Sequence, residues 1–134
     1  MTEQLPKTII VTGGGQRIGR AISLAMAKDG WQVAVHFNSS LVEANEVVDE
    51  ITSSGNVALA VQADLTNEVA VTSLIATISD KLTPVTAVIN NASIFEEDTV
   101  ENVTKGSWDS HLAINLRAPF LLTQSLAKNL NKDE

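Results

Sequence analysis

The segment TIIVTGGGQRIG, residues 8–19, carries the pattern from which the fold of this chain is predicted. Its first five residues form a β-branched apolar run, which is typical of a buried strand. Three consecutive glycines then allow a sharp backbone turn, and apolar residues recur at helical spacing from Ile18 to Gly30, which suits a helix C-cap. In such a turn the amides and the helix N-terminus face an anion, so the segment predicts a nucleotide phosphate site. A tight turn without a ligand is the alternative.

The same alternation of strand and helix continues along the chain. Apolar runs at 33–37, 57–61 and 87–90 predict three more strands, and a helical pattern follows each, the last one being marked from Trp108 onward. Short apolar strands that alternate with helices are typical of a parallel sheet covered on both faces. We therefore predict an α/β fold, a Rossmann-like doubly wound parallel sheet of four βα units in the order 3-2-1-4. It forms one NAD(P)-binding domain over residues 1–134.

The end of the chain departs from a complete doubly wound sheet. Strand four would normally lie in the middle of such a sheet, with further strands beside it. Here one helix and residues 131–134 follow it. An unpaired edge beside strand four would favour pairing with another chain. We therefore expect an incomplete sheet and interpret the chain as half of a fold.

The composition excludes several classes of function. The 134 residues carry 16 acidic and 9 basic side chains, a formal charge of −7, no cysteine and no tyrosine. The acidic balance argues against nucleic-acid binding, which needs clustered cations. Without cysteine, and with two histidines far apart, neither a disulfide framework nor a metal site is expected. No signal peptide or membrane-spanning run is predicted, so a cytoplasmic protein without a membrane partner is the expectation.

Several short motifs together resemble the short-chain dehydrogenase/reductase family over essentially the whole chain. They occur in the order of the family: the glycines at 13 and 19 with Arg17 between them, Asp64 after strand three, Asn90-Asn91-Ala92-Ser93 after strand four, and Asn115 in the last helix. More narrowly, Arg17 and Ser93 resemble the pteridine reductase branch, in which they stand where most family members carry glycine. The segment 36–40 and Phe95 fit that branch as well.

The residues after strand two favour NADP(H) over NAD(H). A carboxylate about 20 residues beyond the glycine motif would bind the ribose hydroxyls of NAD. Here the first acid is Glu43, already in the helix, and Arg17 offers a guanidinium that suits phosphate oxygens. The alternatives are a solvated Arg17 and a merely structural His36. The predicted cofactor-binding residues are Gly13, Gly15, Arg17, Ile18, Gly19, His36, Asn38, Ser39, Asp64, Leu65, Asn91, Ala92 and Ser93.

The resemblance implies further roles for single residues. Asp64 would bind the adenine amino group and Leu65 would flank the adenine, whereas an N-cap or turn carboxylate is the alternative for Asp64. Asn90 is interpreted mainly as a turn-stabilising residue. Ser93 and Phe95 would contact the substrate, with Phe95 stacking on a pterin ring. The alternative is that Phe95 anchors its loop to the core.

Asn115 is the one predicted catalytic residue. Pro119 has no N–H to donate to the Asn115 carbonyl, which the resemblance places in a proton relay to a catalytic lysine. A plain proline kink is the alternative. His111, on the same helix, is expected to face solvent or a neighbouring helix.

The catalytic Tyr-x-x-x-Lys pair of the family has no counterpart here, since the chain has no tyrosine. We interpret the chain as the cofactor half of an NADPH-dependent reductase of pterin-like or carbonyl substrates, inactive alone and one part of a homo-oligomer when complete. The alternative is a non-catalytic dinucleotide-binding or interaction module from a truncated gene.

Overall fold

The computed structural model describes residues 4–130, so the expectation for residues 131–134 lies outside the described part. Its four strands are β1 (Thr8–Val11), β2 (Gln32–Phe37), β3 (Ala58–Gln62) and β4 (Val85–Ile89). Its helices are α1 (Arg17–Lys28), α2 (Leu41–Ser53), α3 (Glu68–Ser79), α4 (Lys105–Leu112) and α5 (Ala118–Asn129), and a π-helical turn (Ala113–Arg117) joins the last two. All strand pairs are parallel, in the order β3-β2-β1-β4. The predicted doubly wound α/β fold and strand order are confirmed.

The sheet is covered on both faces because successive residues of its strands point to opposite sides. In β1, Ile10 packs with the apolar faces of α3 and α5, whereas Ile9 and Val11 pack with α1 and α2. All three side chains are at most 2% exposed. This two-sided burial explains why β1 is apolar throughout and places β1 at the centre of the molecule.

The helices differ in how their N-termini are capped. The side chain of Asn67 accepts from the Ala70 amide at the start of α3, and Thr104 accepts from Ser107 at the start of α4. Among the described residues, Gln16 and Ser40 make no such side-chain bond at the starts of α1 and α2. The first amides of α1 therefore keep hydrogen-bonding capacity for a ligand, whereas the first amide of α2, that of Leu41, donates to the Ser39 carbonyl.

The long last helix contains a feature that its apolar spacing did not predict. The Ala118 amide donates to the carbonyl of Ala113, five residues earlier, within the π-helical turn. Pro119 follows at once, and its missing N–H would leave an α-helical carbonyl unpaired in any case. Wider turns of this kind are frequent at functional sites.

Candidate functional site

A cavity of about 480 Å³ lies at the carboxyl ends of β1, β2 and β4. It is lined by residues 13, 15–19, 36–40, 65, 91–94 and 114. Every predicted cofactor residue except Asp64 lies on this lining. Carboxyl ends of parallel strands, beside the point where the strand order reverses, are where doubly wound folds bind ligands. Five further residues line the cavity and were not predicted as cofactor residues, namely Gln16, Phe37, Ser40, Ile94 and Ile114.

The glycine turn that follows β1 is closely packed against its surroundings. Gly13 has φ +61°, a left-handed conformation that suits glycine. A Cβ on Gly19 would lie 1.9 Å from the Gly13 carbonyl oxygen and 2.7 Å from Nδ2 of Asn91. Beneath the turn, the buried Ser23 hydroxyl donates to the Gly14 carbonyl at 2.9 Å. The first turn of α1 can therefore approach β1 this closely because position 19 has no side chain.

Arg17 begins α1 in an unusual backbone conformation. Its φ is +49°, the one positive value among the non-glycine residues of the described part. Such a conformation costs a residue with a Cβ roughly 1–2 kcal/mol relative to an ordinary one. The side chain is exposed on the cavity lining, and the first turn of α1 contains no acidic residue. The cavity therefore combines free amides with one cation at the same helix end.

Thr12 and Asn91 join the turn after β1 to the turn after β4. The Thr12 hydroxyl accepts from the amides of Asn91 and Ala92, at 3.0 and 2.9 Å. The Asn91 side-chain amide donates to the carbonyls of Thr12 and Gly13, at 3.0 and 3.2 Å. Asn91, and not the exposed Asn90, is therefore the turn-stabilising asparagine, and the sequence interpretation was wrong on this point. Thr12 was missed because its hydroxyl lies within an otherwise apolar strand signal.

His36 is 2% exposed and lies under the glycine turn. Its Nδ1 accepts from the Gly13 amide at 3.1 Å, and its Nε2 lies 2.9 Å from the Ala63 carbonyl, to which it donates. Both ring nitrogens are therefore occupied by backbone groups when the imidazole is neutral. This arrangement favours the structural alternative for His36 over direct phosphate binding. Burial lowers the pKa of His36, although the Ala63 hydrogen bond opposes this effect.

This burial predicts that the fold loses stability in mild acid. A proton on Nδ1 would break the hydrogen bond from the Gly13 amide. The folded chain therefore takes up this proton less readily than the unfolded chain does. The contribution of neutral His36 to the free energy of unfolding is complete above the pKa of histidine in the unfolded chain, near 6.5. It is lost as the pH falls through the lowered pKa of His36 in the folded chain, by at most about 1.4 kcal/mol per pH unit.

Urea unfolding between about pH 7.5 and about pH 5 measures this loss, in a range where most carboxylates stay ionised. The His36→Asn variant is the matched control, because its amide oxygen accepts but does not titrate. Equal pH dependence in both chains would show that His36 does not contribute.

Asp64 lies outside the lining of the cavity and is exposed. Its Oδ1 accepts from the Thr66 hydroxyl at 2.7 Å and from the Thr66 amide at 2.9 Å. These hydrogen bonds lower the pKa of Asp64, against a small opposing effect of burial. The geometry corresponds to the turn-carboxylate alternative, and the N-cap of α3 is Asn67, three residues further on.

The predicted substrate residues differ in their surroundings. Ser93 is exposed on the cavity lining. Phe95 lies outside the lining, and its side chain is 87% exposed. The alternative in which Phe95 anchors its loop to the core is therefore wrong, and the ring is free to meet another molecule.

Asn115, the predicted catalytic residue, lies within the π-helical turn. Its Oδ1 accepts from the Ile94 amide and its Nδ2 donates to the Ile94 carbonyl, both at 2.9 Å. The side chain therefore holds the backbone that follows β4 beside the cavity. A role for its carbonyl in proton transfer stays a prediction.

Within residues 4–130, no group of three or more His, Cys, Asp or Glu side chains is placed to hold a metal ion. No helix in this part of the chain has the length and apolar character needed to cross a membrane.

Comparison with known proteins identifies the family. The family described as short chain dehydrogenase matches residues 7–134. The chain belongs to the short chain dehydrogenase family. The family resemblance predicted from the sequence is thus confirmed, and the α/β fold with strand order 3-2-1-4 agrees with that of solved members.

Individual relatives match 90% or more of this chain. The uncharacterized oxidoreductase YgfF of Escherichia coli is 37% identical over 122 residues, 90% of this chain and 49% of its own length. The 3-oxoacyl-[acyl-carrier-protein] reductase of Synechocystis sp. is 34% identical over 134 residues, 100% of this chain and 54% of its own. The crystal structure of FolM alternative dihydrofolate reductase 1 from Brucella canis, complexed with NADP, superposes with a TM-score of 0.90. It is 39% identical, covering 96% of this chain and 50% of that one. The chain thus spans about half the length of the relatives it matches.

Proposed function

We propose that residues 1–134 form the NADP(H)-binding domain of an oxidoreductase in the short chain dehydrogenase family. The observation that carries this proposal is the uncapped start of α1, whose free amides border the cavity beside the Gly13–Gly19 contact. An anion such as a pyrophosphate is stabilised by amides and by the helix dipole at such a position. The absence of side chains at 13, 15 and 19 allows the backbone to approach it.

The charge distribution supports NADP(H) over NAD(H). Arg17 and the exposed Asn38 and Ser39 lie on the cavity lining and offer donors to a 2′-phosphate. The first turn of α1 has no acid, and the first carboxylate after β2 is Glu43, inside α2. A Cβ at Gly15 would lie 2.9 Å from the Ala44 amide, so the starts of α1 and α2 adjoin. The NADP in the Brucella canis structure is consistent with this choice.

The remaining cofactor residues have proposed roles that follow from their positions. Ile18, buried Leu65 and Ala92 would supply apolar contacts to the nucleotide, and Asn91 would hold the wall of the cavity through Thr12. In the proposed reduction, NADPH would supply the hydride. Asp64, at the turn after β3, keeps its second carboxylate oxygen for the adenine amino group.

For the whole protein we propose NADPH-dependent reduction of a pterin-like or carbonyl substrate. Exposed Phe95 offers a flat face for offset stacking, and Ser93, two residues earlier, lies on the cavity lining. The names of the relatives support both classes, one being a dihydrofolate reductase and another a 3-oxoacyl reductase. These 134 residues contain no tyrosine, so the phenol of the family's chemistry would come from sequence beyond them. A pteridine reductase-like branch, a homo-oligomer and a cytoplasmic location stay predictions.

A second candidate function is non-catalytic dinucleotide binding. The absence of tyrosine from these 134 residues favours it for this chain taken alone. Both candidate functions predict that the chain binds a dinucleotide, but only the first predicts that the whole protein turns over a substrate.

The binding proposal is tested by titrating the chain with NADPH and NADH and following nicotinamide fluorescence. We expect saturable binding, with NADPH bound at least about tenfold more tightly because of the added charge-assisted contacts. Failure of both nucleotides to bind would contradict a dinucleotide site. Equal affinities would leave the dinucleotide site and contradict the 2′-phosphate preference.

A further inference from the structure

Two side chains of the last helix hold the backbone that follows β4. Asn115 bonds both the amide and the carbonyl of Ile94. One turn earlier, Nε2 of His111 accepts from the Glu96 amide at 3.0 Å. Residues 94 and 96 are thus hydrogen-bonded to two side chains that lie one helical turn apart.

The residue between the two tied positions is Phe95. The ring of Phe95 is 87% exposed, and its backbone lies between the two attached residues. The attachment at residue 96 therefore determines where this ring is presented.

The protonation state of His111 follows from its partners. The Glu96 amide can only donate, so Nε2 carries no proton in this contact. Nδ1 lies 2.7 Å from the Ser107 carbonyl and donates to it. The Ser107 hydroxyl, 3.3 Å from Nδ1, donates to a carboxylate oxygen of Asp98 at 2.7 Å. The contacts therefore require the neutral imidazole with its hydrogen on Nδ1.

The charges around His111 are mostly negative. The loop packed against it contributes the acids at 96–98, and Asp98 is joined to it through Ser107. On its own helix, Asp109 is paired with Lys105. A cationic imidazole would thus be attracted to carboxylates while losing its bond to the Glu96 amide.

We propose that His111 is a positioning residue, whose neutral imidazole holds segment 94–96 on the helix and whose protonation releases Glu96 and reorients Phe95. A proton on Nε2 places an N–H against the N–H of Glu96, so the hydrogen bond is replaced by repulsion. Asn115 does not titrate and keeps residue 94 in place, so the segment pivots there. The consequence for substrate binding rests on the proposed function, whereas the release itself does not need a cofactor or a substrate.

The test is an NMR titration of the complete chain without nucleotide, following the Glu96 amide and the His111 ring together. We expect the chemical shift of the Glu96 amide to change with pH at the same midpoint as the NMR signals of the His111 ring. Its hydrogen exchange, corrected for the intrinsic pH dependence, should become at least about tenfold faster in the protonated state. The Thr99 amide is the internal control, because its acceptor is the side-chain oxygen of Asn102, which does not titrate.

Two variants complete the test. His111→Gln, whose amide oxygen accepts but does not titrate, should keep the Glu96 amide protected at both ends of the pH range. His111→Ala should leave it unprotected throughout. Two results would overturn the proposal. One is a Glu96 amide shift and exchange rate that do not change with the protonation of His111 in the natural chain, and the other is the same pH dependence in His111→Gln. Both can be read even if His111→Ala does not fold. Because no nucleotide is present, the outcome is independent of NADPH binding.

Discussion

The Gly19→Ala variant is expected to bind NADPH at least roughly a hundredfold more weakly than the natural chain, a loss of about 2.7 kcal/mol. The added methyl carbon would lie 1.9 Å from the Gly13 carbonyl oxygen, a backbone atom that no rotamer change can move. The start of α1 would have to shift away from β1, which displaces the free amides at the cavity. We also expect a loss of roughly 3 kcal/mol in the free energy of unfolding, at the upper end for overpacking. Calorimetric titration and urea unfolding measure the two effects.

Gly106→Ala is the matched control for this change. Gly106 lies in α4, and a Cβ there would meet one atom, the Thr104 hydroxyl oxygen, at 3.9 Å. Alanine favours a helix over glycine by about 0.8–1 kcal/mol, so this variant should be equally or more stable and bind NADPH normally. If Gly19→Ala bound NADPH as Gly106→Ala does, the close approach at position 19 would have no role in binding.

The Arg17→Ala variant is expected to separate the two nicotinamide cofactors. A charge-assisted hydrogen bond to a phosphate is worth about 1.5–3 kcal/mol, so NADPH affinity should fall roughly ten- to hundredfold. NADH lacks the 2′-phosphate, and its affinity should change by less than about threefold. The measurement is the ratio of the two dissociation constants, which a general disturbance of the turn would leave unchanged.

Arg17→Gly removes the guanidinium without the backbone cost. Because Arg17 has φ +49°, glycine should stabilise the chain by roughly 0.5–1 kcal/mol while abolishing the NADPH preference. Arg20→Ala is the control, because Arg20 is an exposed arginine one turn further along α1 that pairs with Glu50. Equal loss of NADPH and NADH affinity in Arg17→Gly would contradict the 2′-phosphate role.

The fold could be predicted because its signals are local. The strand at 8–12 and the glycine turn after it can be recognised from neighbouring residues alone, without knowledge of their tertiary contacts. Short apolar strands that alternate with helices then imply a parallel sheet. The same pattern placed most of the predicted cofactor residues on one cavity, since the carboxyl ends of parallel strands share an edge.

The parts that could not be predicted depend on which hydrogen-bond partner a side chain finds. His36 is joined to Gly13 and Ala63, 23 and 27 positions away in the chain, and no spacing rule indicates such pairs. Asn90 and Asn91 are identical in type, and the turn geometry alone assigns the bonds to Asn91. His111 was expected to face solvent or a neighbouring helix, but its partners lie on the loop after β4 as well as on its own helix.

The central claim is that NADP(H) binds at the glycine turn beside the starts of α1 and α2. The most direct measurement is a map of amide chemical-shift changes in the complete chain during titration with NADPH. We predict that the largest changes lie in residues 13, 15–19, 38–40 and 91–94, which line the cavity. The amides of α4 and of the outer part of α5 should change little. An unchanged spectrum at saturating NADPH, or changes confined to α4 and α5, would contradict the account.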